Sequence, residues 1–225
     1  DTQWIGFSPT LFEGGFRRHP FPVRVGEDGM RTEIIVCEGS SEKAYVQALN
    51  RILYRGSDAW PLPAFRPELA GQGCYSSVVK TFKAVVGKNK NARPLIWVDR
   101  DIYLRNERDS ETNYRNKPAG IPDFLFSTMN FEDFLTLHCE NEIFESWLQI
   151  CQAKNHFRQP MTAKEYLPLF LEIFPDYKKG DLPFIVCEEN VRRMIRRLQD
   201  PEMPFQNDFG TYLGRSIELK ELNFI

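Results

Sequence analysis

The run Ile34-Ile35-Val36-Cys37-Glu38-Gly39-Ser40-Ser41-Glu42 decides how this chain is read. Four consecutive apolar residues, three of them β-branched, predict a strand buried on both faces, as strands of parallel sheets are. Glu38-Gly39 closes it with a tight turn. From Ser41 to Tyr54 the apolar residues Tyr45, Val46, Leu49, Ile52 and Leu53 recur at helical spacing. Ser40 or Ser41 suits the N-cap, and Glu42 falls in the first turn. The unit is strand, glycine turn, helix.

The same grammar recurs downstream. Pro94–Val98 reads as a second buried strand, closed by Asp99-Arg100-Asp101, and Ile121–Phe126 as a third. Between them, residues 60–73 (WPLPAFRPELAGQG) read as a loop, Ser76–Val86 as an amphipathic helix, residues 88–93 as a polar turn, and Tyr103–Lys117 as a charged segment. Phe131–Cys139 is expected to be helical, as are Glu142–Ala153, Ala163–Phe174 and Glu188–Leu198. Alternating strands and helices predict an α/β, Rossmann-like fold: a mostly parallel central sheet flanked by helices, with a helical C-terminal extension. The expected organisation is an N-terminal arm over 1–30, a catalytic core over 31–140, and a mostly helical part over 141–225 packed on it.

Composition narrows the functional classes. The 225 residues are 42% hydrophobic and 27% charged, as in ordinary globular domains. No apolar run approaches the roughly 20 residues that span a bilayer, and the first residues do not read as a secretory signal, so a cytoplasmic protein is expected. The five cysteines form no CxxC pair, and Cys37, Cys151 and Cys187 follow apolar residues; buried, reduced thiols are expected rather than a zinc site or disulfides. A formal net charge of −2 argues against a protein that coats nucleic acid electrostatically, though not against an enzyme that meets phosphates through metal ions.

Ligands of open parallel sheets bind beyond the carboxyl ends of the strands. Glu38 follows one apolar strand, and Asp99 and Asp101 follow another; alternation puts both aspartates on one side. Three hard oxygen ligands suit Mg²⁺ or Mn²⁺, which activates water and offsets charge in phosphodiester cleavage. One such acid alone is usually a cap or a solvated turn residue. The combination, apolar strand–Glu–Gly, helix, apolar strand–Asp-x-Asp, is the Toprim signature.

Within that signature the chain resembles the RloB-like branch of Toprim proteins, which is associated with anti-phage defence. The matching stretches are 34–49 (IIVCEGSSEKAYVQAL), 96–101 (IWVDRD), 120–138 (GIPDFLFSTMNFEDFLTLH) and 174–180 (FPDYKKG). Ser41-Glu42 stands where the branch usually has Thr-Glu, and Phe134 where it tends to have Trp. The resemblance implies an endonuclease that cuts RNA such as tRNA, or DNA, working as a defence effector beside an ABC-type or AAA-type ATPase. It implies Asp99 and Asp101 as metal ligands and Glu38 as a metal ligand or the general base. It also marks Glu42 (second-metal ligand or helix cap), Glu132 (a further ligand or a helix-start acid), His138 (catalytic or a core histidine), and Lys178 with Lys179 (a cation for the phosphate or a solvated turn). The stripe Arg192, Arg193, Arg196, Arg197 can grip a nucleic-acid backbone or be a solvated face, and Arg105–Lys117 is a second place for substrate. No Walker A sequence occurs in these residues, so an ATPase would be a separate chain; a homodimer is a further expected partner. The competing readings are a primase- or topoisomerase-like Toprim enzyme and a non-catalytic interaction module on the same fold.

Overall fold

The computed structural model describes residues 32–54, 62–71, 74–89, 94–99, 120–121 and 124–222. The expected arm over 1–30, Asp101, and the charged segment 103–117 lie outside the described residues. Four strands form one all-parallel sheet, in the order β2-β1-β3-β4. They are β1 (Thr32–Cys37), β2 (Ala64–Leu69), β3 (Leu95–Asp99) and β4 (Phe124–Ser127). Helices α1 (Ser40–Tyr54) and α2 (Tyr75–Lys88) make the crossovers. Five more follow: α3 (Phe131–Thr136), α4 (Asn141–Ala153), α5 (Ala163–Ile173), α6 (Glu188–Leu198) and α7 (Asp208–Leu222). The α/β architecture with a parallel, helix-flanked sheet is thus as read from the sequence.

Strand alternation explains how both faces are covered. Ile35, Cys37, Trp97 and Leu125 point into the larger core with α1 and the C-terminal helices, whose Trp147, Phe170 and Phe209 join it. Val36, Ile96, Val98 and Phe124 point the other way, onto Val78, Val79 and Phe82 of α2. Continuous apolar runs are required of strands with no solvent face.

Two elements differ from the sequence reading. β2 lies within the stretch expected to be a loop. It is the edge strand beside β1, so it tolerates Pro67, and its Arg66 and Glu68 stay half-exposed and pair with each other at 3.2 Å. Asn50 of α1 supplies a side-chain partner for its backbone: Asn50 Nδ2 donates to Phe65 O (2.6 Å) and Phe65 N donates to Asn50 Oδ1 (2.8 Å). The second is α7, which lies in the part expected to be mostly helical but receives no bounds from the sequence pattern; its Gly210 and Gly214 lower helix propensity. Here the glycines serve close packing: a Cβ at Gly214 would meet Ile195 Cγ2 at 3.0 Å, and one at Gly210 Met194 Sδ at 2.8 Å.

Strand order places the site. β1 runs through α1 to β2 on one side, whereas β3 leads to β4 on the other. The carboxyl ends of the adjacent strands β1 and β3 therefore flank a topological switch point, where open α/β sheets bind ligands. Among the described residues, no helix is long and apolar enough to cross a membrane.

Candidate metal centre

Glu38 and Asp99 meet at this switch point. Glu38 N donates to Trp97 O (3.2 Å), and Asp99 N donates to Glu38 Oε2 (2.8 Å), so the end of β3 fixes the acid that follows β1. Asp99 Oδ2 in turn accepts from Phe131 N (3.0 Å) at the start of α3, which brings the next residue, Glu132, to the same place. A carboxylate at a helix N-terminus is favoured by the unpaired amides there.

Glu42 reaches the cluster by folding back over the Glu38-Gly39 turn. A Cβ at Gly39 would lie 2.8 Å from Glu42 Oε2, so the absent side chain is what leaves room for the carboxylate. Glu42 and Glu132 are both buried. Burial, with a further contribution from Glu132, pushes Glu42 up to about 7, against the lowering by its own amide, Lys179 and the Gly39 amide. Burial also raises Glu132, while hydrogen bonds from Tyr177 and Tyr166 and the charge of Lys179 oppose it. Glu38 thus meets Asp99, and the buried Glu42 and Glu132 repel one another nearby, with Lys179 the neighbouring cation; no three of the four bring their carboxylate oxygens within 4.8 Å of one another. Such oxygen donors fit Mg²⁺ or Mn²⁺, whose charge offsets the mutual repulsion of buried acids.

The segment after α5 closes the site from the side. Tyr177 Oη donates to Glu132 Oε1 (2.8 Å), Lys179 Nζ donates to Tyr166 Oη (3.5 Å), and Gly180 N donates to Ser41 Oγ (3.1 Å). Gly180 sits at φ +99°, where an L side chain is strained, and a Cβ there would press on Ser40 Oγ at 3.0 Å. Both lysines of this turn are exposed, and Lys179 is the one whose charge acts on Glu42 and Glu132.

Other expected site residues are engaged elsewhere. His138 is a core histidine: Nδ1 lies 3.1 Å from the Phe134 carbonyl and Nε2 2.7 Å from Tyr45 Oη. The carbonyl can only accept, so Nδ1 carries the proton and Tyr45 donates to Nε2. Burial pushes this imidazole down to about 3, and it stays neutral. The arginine stripe is largely structural. Arg197 Nη1 donates to the carbonyls of Leu137 and Cys139 (2.8 Å each), its Nη2 to Asn141 Oδ1 (2.8 Å), and its guanidinium lies 4.2 Å from the Phe144 ring centroid. Arg193 donates to His138 O (2.8 Å) and pairs with Glu140 and Glu189; Arg192 pairs with Glu188 at 2.9 Å. Arg196 is exposed. Unpaired carbonyls at the end of a short helix need donors, and α6 supplies them. The cysteines are free; Cys37, Cys139 and Cys151 are buried, but Cys187 is exposed, because it stands at the start of α6 rather than in the core.

A second buried group, Asp133, Cys151 and His156, has potential ligand atoms within 4.8 Å of one another. Its donors are already committed. His156 Nδ1 accepts from Met161 N (2.8 Å), so Nε2 carries the proton and donates to Asp133 Oδ2 (2.8 Å). Trp147 Nε1 donates to Asp133 Oδ1 (2.8 Å) and Asn130 N to Oδ2 (2.9 Å), while burial holds the Cys151 thiol protonated. With both ring nitrogens in use, this is a hydrogen-bonded strut between α3, α4 and the turn after it. Tyr166, Tyr177 and this strut were not anticipated as parts of the structure's polar interior. No family model, curated protein or solved structure matches this chain.

Proposed function

We propose that this protein is a Mg²⁺- or Mn²⁺-dependent endonuclease of the Toprim type that hydrolyses nucleic-acid phosphodiester bonds, RNA such as tRNA or DNA. The observation that carries this reading is the meeting of Glu38 and Asp99 at the switch point, with Glu42 and Glu132 beside them. Glu38 and Asp99 would hold the metal, and Asp101, two residues on, is proposed as a further ligand. A divalent ion there supplies an activated water and positive charge for the leaving oxygen. The chain's own residues orient and charge the site: Gly39 leaves room for Glu42, and Lys179 is the cation beside the acids, suited to a phosphate. The sequence resemblance to RloB-like proteins supports extending the reading to a defence effector governed by a separate ATPase chain. Most of the arginine stripe serves the fold, so the substrate grip is sought elsewhere.

The test is cleavage of total tRNA, single-stranded RNA and plasmid DNA by the purified chain with Mg²⁺, Mn²⁺ or EDTA, beside Glu38→Ala and Asp99→Ala. Metal-dependent cutting lost in both variants is the expected result. A folded chain that neither cuts nor binds Mn²⁺ would refute the proposal and favour an interaction module on the same fold.

A further inference from the structure

Between Glu68 and Asp99 the chain carries no Asp or Glu, although 31 acidic residues are spread over its 225 positions. The same stretch holds five cations, and three of them, Lys80, Lys83 and Lys88, belong to α2. Val78, Val79, Phe82 and Val85 form the buried side of this helix, and at about 3.6 residues per turn the lysines fall on the other. All three are exposed, and the other exposed positions of the helix are the small, uncharged Ser76, Ala84 and Gly87. Among the described residues no acid pairs with any of the three lysines. The outward face of α2 is therefore positive throughout, and its charges span about 12 Å at about 1.5 Å per residue.

Helix stability does not account for these charges. Lysines on a solvated helix face are usually interleaved with acids one turn away, and α2 has none. A cation is favoured in the last turn, where Lys88 stands. Yet the Val85 carbonyl there already accepts from Asn89 N and from Asn89 Nδ2, at 3.0 Å each. The arginines of α6 are the contrast: Arg192, Arg193 and Arg197 each reach an acid or a carbonyl of the fold.

The fold starts this face beside the switch point. Ala70, just after β2, donates its amide to the Cys37 carbonyl (2.9 Å), and Ser77 Oγ in the first turns of α2 donates to Ala70 O. The helix thus begins near the junction of Cys37 and Glu38 and runs away from it down one flank of the sheet. A chain of net charge −2 with acids at its centre repels phosphates as a whole. A segregated positive face is how such a chain still holds a polyanion.

We propose that the Lys80-Lys83-Lys88 face of α2 grips the phosphate backbone of the nucleic-acid substrate. This rests on the nuclease reading above and supplies the grip that the arginine stripe does not. Backbone contacts of this kind position a nucleic acid and carry no sequence information.

The experiment is fluorescence anisotropy of a labelled tRNA and a labelled DNA duplex, titrated with the full chain over a range of KCl concentrations. EDTA is present throughout, so that binding is read apart from metal-dependent cutting. Wild type is compared with the triple variant Lys80→Gln, Lys83→Gln, Lys88→Gln. A control triple, Lys154→Gln, Lys164→Gln, Arg196→Gln, removes the same charge from exposed positions elsewhere. Thermal melting checks that both remain folded, as surface changes allow. On whichever nucleic acid wild type binds, the α2 triple is expected to bind at least about 10-fold more weakly in dilute salt. Its slope of log K against log salt is expected to be shallower by about 2–3, because each lost phosphate contact removes about 0.7–0.9. The control triple is expected to stay close to wild type. Equal losses in the two triples would reveal a net-charge effect and overturn the proposal, as would an unchanged slope in the α2 triple. Polyglutamate that binds wild type as tightly as tRNA, and is lost in the same triple, would assign the face to an acidic protein and overturn it too. If wild type binds neither nucleic acid, the grip is refuted; cleavage of the same two substrates with Mn²⁺ then shows separately whether the nuclease reading stands.

Discussion

Gly39 and Glu42 are in steric contact across one turn: a Cβ on Gly39 would stand 2.8 Å from Glu42 Oε2. Gly39 does not adopt a positive φ, so alanine meets no backbone penalty there, and the pressure falls on the movable carboxylate. Pressing on a buried side chain costs about 1–3 kcal/mol, so Gly39→Ala is expected to lower the melting temperature by several degrees while the chain stays folded. Mn²⁺ affinity, read by calorimetric titration, is expected to fall severalfold as Glu42 is displaced. Unchanged affinity would remove Glu42 from the centre.

Arg197 and Arg193 tie α6 to the end of α3 through the carbonyls of Leu137, Cys139 and His138. Loss of charged donors from buried acceptors costs roughly 1.5–3 kcal/mol per group. Arg197→Ala is expected to destabilise the fold by about 3 kcal/mol in urea unfolding, with Arg197→Lys recovering only part, because a single ammonium cannot reproduce the fork over Phe144. Were the stripe a nucleic-acid face instead, the variant would keep its stability and lose salt-dependent binding.

His138 makes stability pH-dependent. Its folded-state value is lowered from 6.5 to about 3, so the unfolded chain binds the proton first. The stabilisation is complete above about pH 6.5 and is lost as pH falls toward 3, at about 1.4 kcal/mol per unit. From this group alone, about 2 kcal/mol is lost at pH 5. Arg193 and Arg197 beside it also disfavour the charged ring. Urea unfolding at pH 7.5 and pH 5 is expected to show a smaller pH effect in His138→Gln than in wild type; equal losses would place the proton elsewhere.

The legibility of the sequence followed the range of the interactions. β1 and β3 were readable because buried parallel strands are unbroken apolar runs, and the acids after them fall at the carboxyl edge whatever the neighbours do. Glu38 and Asp99 could be paired on that ground. β2 was hidden by Pro67 and by polar Arg66 and Glu68, which only an edge position allows. α7 was hidden because Gly210 and Gly214 report contacts with α6, not local propensity. Tyr177 lies 45 positions from Glu132, and His156 lies 23 from Asp133; no local pattern announces either bond. His138 was readable as a histidine on an apolar face, but only Tyr45 and Phe134 show that both its nitrogens are in use.

The Asp133–His156 strut gives the last prediction, because it separates a structural role from a metal site. Asp133 accepts from Trp147, Asn130 and His156, and every donor comes from the protein itself. Removing the imidazole leaves a buried carboxylate short of a donor, and losing a hydrogen bond to a charged group costs about 1.5–3 kcal/mol before the cavity left by the ring is added. His156→Ala is thus expected to unfold at much lower urea concentration than wild type. Chelation should do nothing comparable: wild type already in buffer free of Mg²⁺ and Mn²⁺ is expected to keep its unfolding midpoint when EDTA is added, and to hold no stoichiometric zinc by elemental analysis. A structural metal at this place would instead lower the midpoint on chelation, since the binding free energy of such an ion is also folding free energy.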